Sequence, residues 1–248
     1  MPSVQDDRSY NQGFAKSEAL EVRTDRRVHY MIEKLSEGNG NKGLRVLEIG
    51  CGTGDISYRL ALKTGAIVYG TDLCMPFIEE AKATYRLPNL KYGVIDFNDV
   101  EHLERIEKTN KFDAVVGNGI LHHLYYSLEK SLANINRLLN PGGRIVFLEP
   151  NFFNPYCLII FNIGYFRKLS RLEPTEMTFT RGFIRRKLEE SGFGEIEIEF
   201  RDFLLPGVPK VMIQPLVAIG AVLERIPVLN AMAQSIFISA VKKELHVA

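Results

Sequence analysis

An α/β fold, built on a doubly wound and mostly parallel sheet, is predicted by three features of this 248-residue chain. Short runs rich in Val and Ile alternate with amphipathic stretches from residue 44 to residue 149, the pattern of buried parallel strands joined by crossover helices. Glycine-bearing turns separate those runs. The composition, 46% hydrophobic and 25% charged, is that of a globular protein able to bury a full core in one or two domains.

The elements follow in order. Val22, Val28, Met31, Ile32 and Leu35 recur at helical spacing, so the polar N-terminal segment up to about residue 43 reads as a helical arm, broken by Glu37-Gly38-Asn39-Gly40-Asn41. Strands are expected at 45–49, 67–71, 90–95, 112–116 and 144–148. Asn140-Pro141-Gly142-Gly143 ends a helix over 128–139 and launches the fifth strand. Regularity lapses after Asn151 for about thirty residues, until Thr180 caps a helix that runs to Ser191 and stops at Gly192. Two more strands, near 195–200 and 235–241, flank a strongly apolar stretch.

Charge and cysteine content narrow the function. With 31 basic and 30 acidic residues the net charge is +1, which argues against a protein that grips long nucleic acid by bulk electrostatics. Cys51, Cys74 and Cys157 form neither a disulfide framework nor a zinc cluster, so a reducing cytoplasmic setting is expected. The N-terminus is too polar for a signal peptide. The longest uncharged run, 150–166, is interrupted by Pro150, Asn151, Asn154, Pro155 and Asn162, which argues against a transmembrane helix.

The chemistry concentrates at strand ends. VLEIGCGTGD (46–55) is a buried strand running into a turn with glycine at every second position and then a helix. Such glycines let the backbone approach a ligand, and the helix N-terminus offers free N–H groups. The spacing is G-x-G-x-G, and Glu48 lies two residues before the first glycine, so a ligand with a cationic group suits the place better than a diphosphate. Glu48, Asp72, Asp96 and Asn118 close the first four strands or follow them. Ligands of open α/β sheets bind outside the carboxyl ends of the strands, so these side chains are expected to line one crevice. There Asp72 suits a ribose diol, and Asp96, beside Phe97, an adenine amino group against an apolar face.

As an ordered set these motifs resemble those of the class I S-adenosylmethionine-dependent methyltransferases of the small-molecule kind. VLEIGCGTGD matches the glycine motif, YGTDLC the ribose acid, GVIDFND the adenine segment, FDAVVGNGILHHL the fourth-strand motif and LLNPGGRIVFLEPN the fifth. The resemblance implies the Rossmann-like methyltransferase fold, a seven-stranded sheet whose last strand is antiparallel. It also implies S-adenosylmethionine as cofactor, with S-adenosylhomocysteine as product. Carried over residue by residue, Gly50, Cys51, Gly52 and Gly54 flank the methionine part with Glu48 near its ammonium. Asp72, with Leu73 next to it, holds the ribose, Asp96 and Phe97 the adenine, and the Asn118 backbone the methionine amino group. The chain then divides as one domain into a helical arm (1–43), a cofactor-binding core (44–151), a lid or acceptor insertion (152–180) and a C-terminal helix and strands (181–248).

Methyl transfer from a sulfonium is an in-line displacement, so the protein mainly positions the acceptor and, where needed, removes its proton. His122 and His123, just after the fourth strand, are candidates for that base, with loop or helix capping as the alternative for each. Glu149 is a further base candidate or a loop-fixing acid, and Asn151 is expected to point into the same crevice. In the arm, Tyr10, Phe14 and Arg23 are candidates to close over the cofactor, Arg23 against its carboxylate; helix-surface positions are the alternative. The Asn-Pro-Pro-aromatic signature of nucleobase methylation is missing from 117–120, and no Asp-Asp-Asn metal set is present, so no metal is expected.

The acceptor is expected to be a small or lipid-linked metabolite methylated on O, N or C. A cofactor-binding partner or sensor without turnover is the alternative, and RNA methylation a weaker one. No transmembrane segment is expected; peripheral membrane contact, and a monomer or homodimer, are compatible with the sequence. Charge is segregated to suit: residues 151–187 hold seven basic and two acidic side chains, residues 188–202 one basic and six acidic, and residues 203–241 only Lys210, Glu224 and Arg225.

Overall fold

The computed structural model describes residues 17–37, 43–109, 111–170, 172–205 and 207–244, without the side chains of residues 105, 108 and 109. Tyr10 and Phe14 lie outside the described residues.

Helix α1 (Glu18–Ser36) starts where the Ser17 hydroxyl accepts a hydrogen bond from the Leu20 N–H, with Glu18 and Glu21 favourably placed in its first turn. The core then alternates β1 (Arg45–Ile49), α2 (Asp55–Thr64), β2 (Ile67–Asp72), α3 (Met75–Thr84), β3 (Leu90–Val94), α4 (Val100–Thr109) and β4 (Phe112–Asn118). A 3-10 turn (Leu121–Ser127) and α5 (Leu128–Leu138) lead to β5 (Leu139–Pro150). This strand starts earlier than its sequence suggests. Gly142 takes φ 69°, and the register against β4 shifts between Phe112 and Ala114, so the expected turn is absorbed as an irregularity inside the strand.

The insertion is more ordered than a Pro- and Asn-rich segment implies. Asn154 caps α6 (Pro155–Asn162) through a 3.0 Å bond from the Cys157 N–H to Oδ1, and Pro155 occupies the first turn, where its missing N–H costs nothing. Helix α7 (Gly164–Leu169) follows, and Thr180 caps α8 (Arg181–Glu190) as expected. The chain ends in β6 (Phe193–Arg201), α9 (Lys210–Leu223), a short 3-10 turn (Asn230–Met232) and β7 (Ser235–Lys242).

The seven strands form one sheet in the order β3-β2-β1-β4-β5-β7-β6, with β7 antiparallel to both β5 and β6. Strand order reverses between β1 and β4, which opens a crevice at their carboxyl ends. Alternate residues of each strand feed opposite faces. Leu47, Val115 and Phe147 join the cluster under α4, α5 and α8, while Val46, Val116 and Val146 join the one under α1, α2 and α3. A small third cluster of Ala19, Leu204 and Ile213 ties α9 to α1. Among the described residues, no helix is long and apolar enough to cross a membrane. All three cysteines are buried free thiols.

Candidate functional site

The glycine loop carries the first half of the crevice. Gly50, Gly52 and Gly54 all have positive φ (67°, 52° and 88°). A Cβ on Gly50 would lie 2.7 Å from the Ile120 side chain, and one on Gly54 2.6 Å from the Tyr92 hydroxyl, which donates to the Gly54 carbonyl. Cys51 donates its N–H to the Thr71 carbonyl, locking the loop to β2. Asp72 staples the loop from the other side: Oδ2 accepts from Gly52 N–H at 2.9 Å and Oδ1 from Cys74 N–H at 2.8 Å. Beside it Leu73 is exposed on the rim. Asp96 accepts from Asn98 N–H and stays half-buried, whereas Phe97 belongs to the core; the apolar side chain exposed at this rim is Leu73, not the expected phenyl ring.

Glu48 is sealed between β1 and α2, where its carboxylate accepts from the Ser57 hydroxyl. Burial pushes its carboxyl up to about 7, against the lowering effect of that hydrogen bond and with added repulsion from Asp55 and Asp72. Asp72 is likewise raised, chiefly by burial. A buried and a half-buried acid that resist ionisation mark a place that gains from a cationic ligand, and the three glycines of the loop leave its backbone open to one. The residues present therefore fit a sulfonium-bearing amino acid nucleoside.

Glu149, at the end of β5, is fully buried. Its Oε1 accepts from Ile120 and Leu121 N–H (3.0 and 2.8 Å), and its Oε2 from His122 N–H (3.2 Å) and Nδ1 (2.9 Å). The carboxylate thus caps the free N–H groups of the 3-10 turn and fixes one imidazole tautomer, with Nδ1 as donor. Nε2 of His122 faces away from Glu149, 3.9 Å from Glu176 Oε2 and beside the Phe161 ring. His123 stacks obliquely on His122, its Nδ1 3.4 Å from Glu176 Oε1. The donor atoms of His122, His123 and Glu176 all lie within 4.8 Å of one another, a grouping the expectation of no metal did not foresee.

Two expectations are corrected. Asn151 does not reach into the crevice: it is fully buried, its amide donating to the Ala231 and Ala233 carbonyls (2.8 and 2.7 Å) and its Oδ1 accepting from Phe153 N–H. All its hydrogen-bonding capacity serves to clamp the insertion to the C-terminal segment. Arg23 is not on the helix surface either; it is buried in a 3.0 Å ion pair with Asp202.

The arginine that reaches the crevice is Arg27, which sequence reasoning missed. It donates to Asn118 Oδ1 (2.6 Å), Ser235 Oγ (2.9 Å) and Asp202 Oδ2 (3.3 Å). Burial and neighbouring Arg23 lower its pKa to about 10, so it remains charged at neutral pH. A signal existed, since Arg27 follows Arg23 by one helical turn on the same face. Asp202, held at φ 76° after β6, and Glu176 in the insertion carry no such local signal.

Residues 47–147 match the family model described as "Methyltransferase domain". An S-adenosyl-L-methionine-dependent Diels-Alderase of Talaromyces variabilis is 34% identical over 180 residues, covering 67% of this chain and 59% of that protein. An O-methyltransferase of Aspergillus nomiae is 27% identical over 192 residues, 75% of this chain and 80% of its own length. The chain spans under two thirds of the Diels-Alderase, and only 5% of a highly reducing polyketide synthase of Calcarisporium arbuscula that it also matches. Among solved structures, an S-adenosylmethionine-dependent methyltransferase of Archaeoglobus fulgidus superposes with TM-score 0.62 at 22% identity, covering 94% of this chain and 98% of that one, a likeness of fold. The matched domain over residues 47–147 and this fold make the chain a carrier of an S-adenosylmethionine-dependent methyltransferase domain with the class I methyltransferase fold.

Proposed function

We propose that this chain methylates an O, N or C atom of a small, largely apolar metabolite, with His122 as proton acceptor and Glu149 as its orienting partner. The observation that carries this reading is the buried Glu149–His122 pair, which holds the ring through Nδ1 and turns Nε2 away from Glu149. Ile120, two residues before His122, packs over Gly50 and so joins the base to the glycine loop.

Bound S-adenosylmethionine supplies the activated methyl group. Asp72 suits its ribose diol, Asp96 and Leu73 the adenine edge, and the 50–54 loop its methionine portion, with Glu48 offering charge beneath. His122 Nε2 takes the acceptor's proton as the acceptor attacks. Glu176 of the insertion and His123 of the 3-10 turn stand beside this ring. The names of the relatives, a Diels-Alderase, an O-methyltransferase and polyketide synthases, support an apolar small-molecule or acyl acceptor. Three buried free thiols suit the reducing cytoplasm.

The test is a metabolite screen with methyl-labelled cofactor, scored by label in product and by S-adenosylhomocysteine formed. Because one relative is named as a Diels-Alderase, cofactor binding alone does not count. In the screen's best acceptor, His122→Gln is expected to lower kcat by ~10²–10⁴ with calorimetric cofactor affinity kept. An undiminished rate would return His122 to a capping role. Excess EDTA leaves turnover intact on this reading; loss that zinc restores would assign His122, His123 and Glu176 to a metal instead.

A further inference from the structure

Helix α9 and the α6–α7 insertion expose an unusual number of large apolar side chains to solvent. Helix α9 has fourteen residues of which only Lys210 is charged, and only Ile213 and Gly220 are buried. The opposite side of the helix presents Val211 (78% exposed), Ile219 (53%) and Val222 (56%) to solvent. Just beyond it Val228 is 81% exposed, in a left-handed conformation (φ 75°) that a β-branched residue adopts only under strain. Across the insertion, Tyr165 and Leu169 are exposed to a similar degree.

The two segments are fastened together at their bases. The Asn154 amide donates to the Met232 carbonyl at 2.7 Å, and Asn151 to those of Ala231 and Ala233, so the base of α6 is fastened to the turn that follows α9. Apart from the exposed Lys210–Glu18 pair at the start of α9, the exposed charges of these segments have one sign. Among the described residues, segments 151–170 and 203–234 contain no exposed acid: Glu224 turns inward to Arg26 and Arg201, while Lys168 and Arg225 are exposed. At ~1.5 Å per residue, α9 is about 21 Å long, too short to span a hydrocarbon core of ~30 Å but suited to lie in its interface.

We propose that this face docks on an anionic lipid bilayer, with α9 and the α6–α7 insertion embedded at headgroup depth and Lys168 and Arg225 on the phosphates. Lipid fits better than a protein partner because the exposed charges of these segments, apart from the Lys210–Glu18 pair at the start of α9, are basic, and a fluid bilayer accepts a face formed by separate short helices. The surface leads to the site: Phe161 of α6 meets the His122 ring edge-on, with centroids 6.2 Å apart. An amphiphilic acceptor would thus enter from the membrane. That route rests on the proposed methyl transfer, whereas the docking does not.

The test is co-sedimentation of the full chain with vesicles of phosphatidylcholine alone or mixed with phosphatidylglycerol, with size-exclusion chromatography alongside. Binding to the anionic vesicles, weakened by salt, is expected. Lys168→Glu with Arg225→Glu should reduce it by more than ~10-fold, since each basic residue near a charged surface is worth about a factor of five. Val211→Asp with Ile219→Asp should abolish it while calorimetric cofactor affinity and the circular dichroism spectrum stay unchanged. Protein left in the supernatant with both vesicle types overturns the proposal, as does a dimer that the same Val211 and Ile219 substitutions dissociate, which would identify a second copy as the occupant. Failure of the methylation screen with vesicle binding intact would remove only the route of the acceptor.

Discussion

The two halves of the crevice are built differently. On the proposed cofactor side, Gly50, Gly52 and Gly54 shape the site through backbone: a loop with glycine at every second position, pinned by the Thr71 carbonyl and the Asp72 carboxylate of β2. On the proposed acceptor side the work falls to side chains drawn from distant segments, Glu149 under the 3-10 turn and Glu176 from the insertion, with Asp202 after β6 holding the arginines of α1. A backbone-built site tolerates little change in conformation yet much in sequence elsewhere. A side-chain-built site is where substrate choice can vary.

Substitutions should separate the halves. Glu149→Ala has the largest expected effect, because it leaves three N–H groups of the turn and the His122 ring without their acceptor. A loss of ~3–5 kcal/mol in chemical denaturation is expected, with turnover abolished. Cofactor affinity should fall far less than turnover; an equal collapse of both would join the halves into one unit. Gly50→Ala comes next. At φ 67° and 2.7 Å from Ile120, a methyl group costs ~1–3 kcal/mol and displaces the loop. Calorimetry should show cofactor binding lost, while acceptor analogues that bind without cofactor are unaffected.

How much of this was legible beforehand follows from the same contrast. The glycine loop, Asp72 and the strand order were readable because strand, turn and acid lie within one βα unit, where spacing dictates geometry. Asn151 was misassigned because its fate depends on carbonyls 80 and 82 residues away. Helices α6 and α7 were hidden by residues that look like breakers: Asn154 and Pro155 are respectively the cap and first residue of α6. Arg23 was drawn toward the cofactor when its partner, Asp202, comes from 179 positions downstream. No local pattern encodes such pairings; they exist only once α1 packs beside β7.

Glu48 sharpens the comparison through pH. Its carboxyl is raised from an ordinary 4.5 to about 7, so between those values the folded chain holds a proton that the unfolded chain has lost. Stability contributed by the protonated form is therefore full below about pH 4.5 and declines as pH rises to about 7, by at most ~1.4 kcal/mol per unit. Thermal melts of the free protein between about pH 5 and 8 should show this slope, and Glu48→Gln should flatten it. A cation bound nearby favours the ionised acid, so cofactor binding near neutral pH should release protons, measurable as a dependence of binding enthalpy on buffer. Proton release that persists in Glu48→Gln would assign the titration to Asp72.

Arg27 is the element that spans both halves, and it carries the smallest expected effect. Its guanidinium reaches Asn118 on the cofactor side and Asp202 and Ser235 on the other. A lysine in its place keeps the charge but presents one ammonium where three acceptors are arranged around a planar fork. Arg27→Lys should therefore weaken cofactor binding only several-fold. Its coupling to Asn118→Ala, read by a double-mutant cycle on cofactor affinity, should be about 1 kcal/mol. The same cycle with Ser235→Ala reports whether strain at the C-terminal segment travels through the guanidinium to the cofactor. Coupling to Asn118 without coupling to Ser235 would mean that the two halves share an arginine but not a response. Coupling to both makes α1 the path by which contacts on the acceptor side tune the cofactor loop.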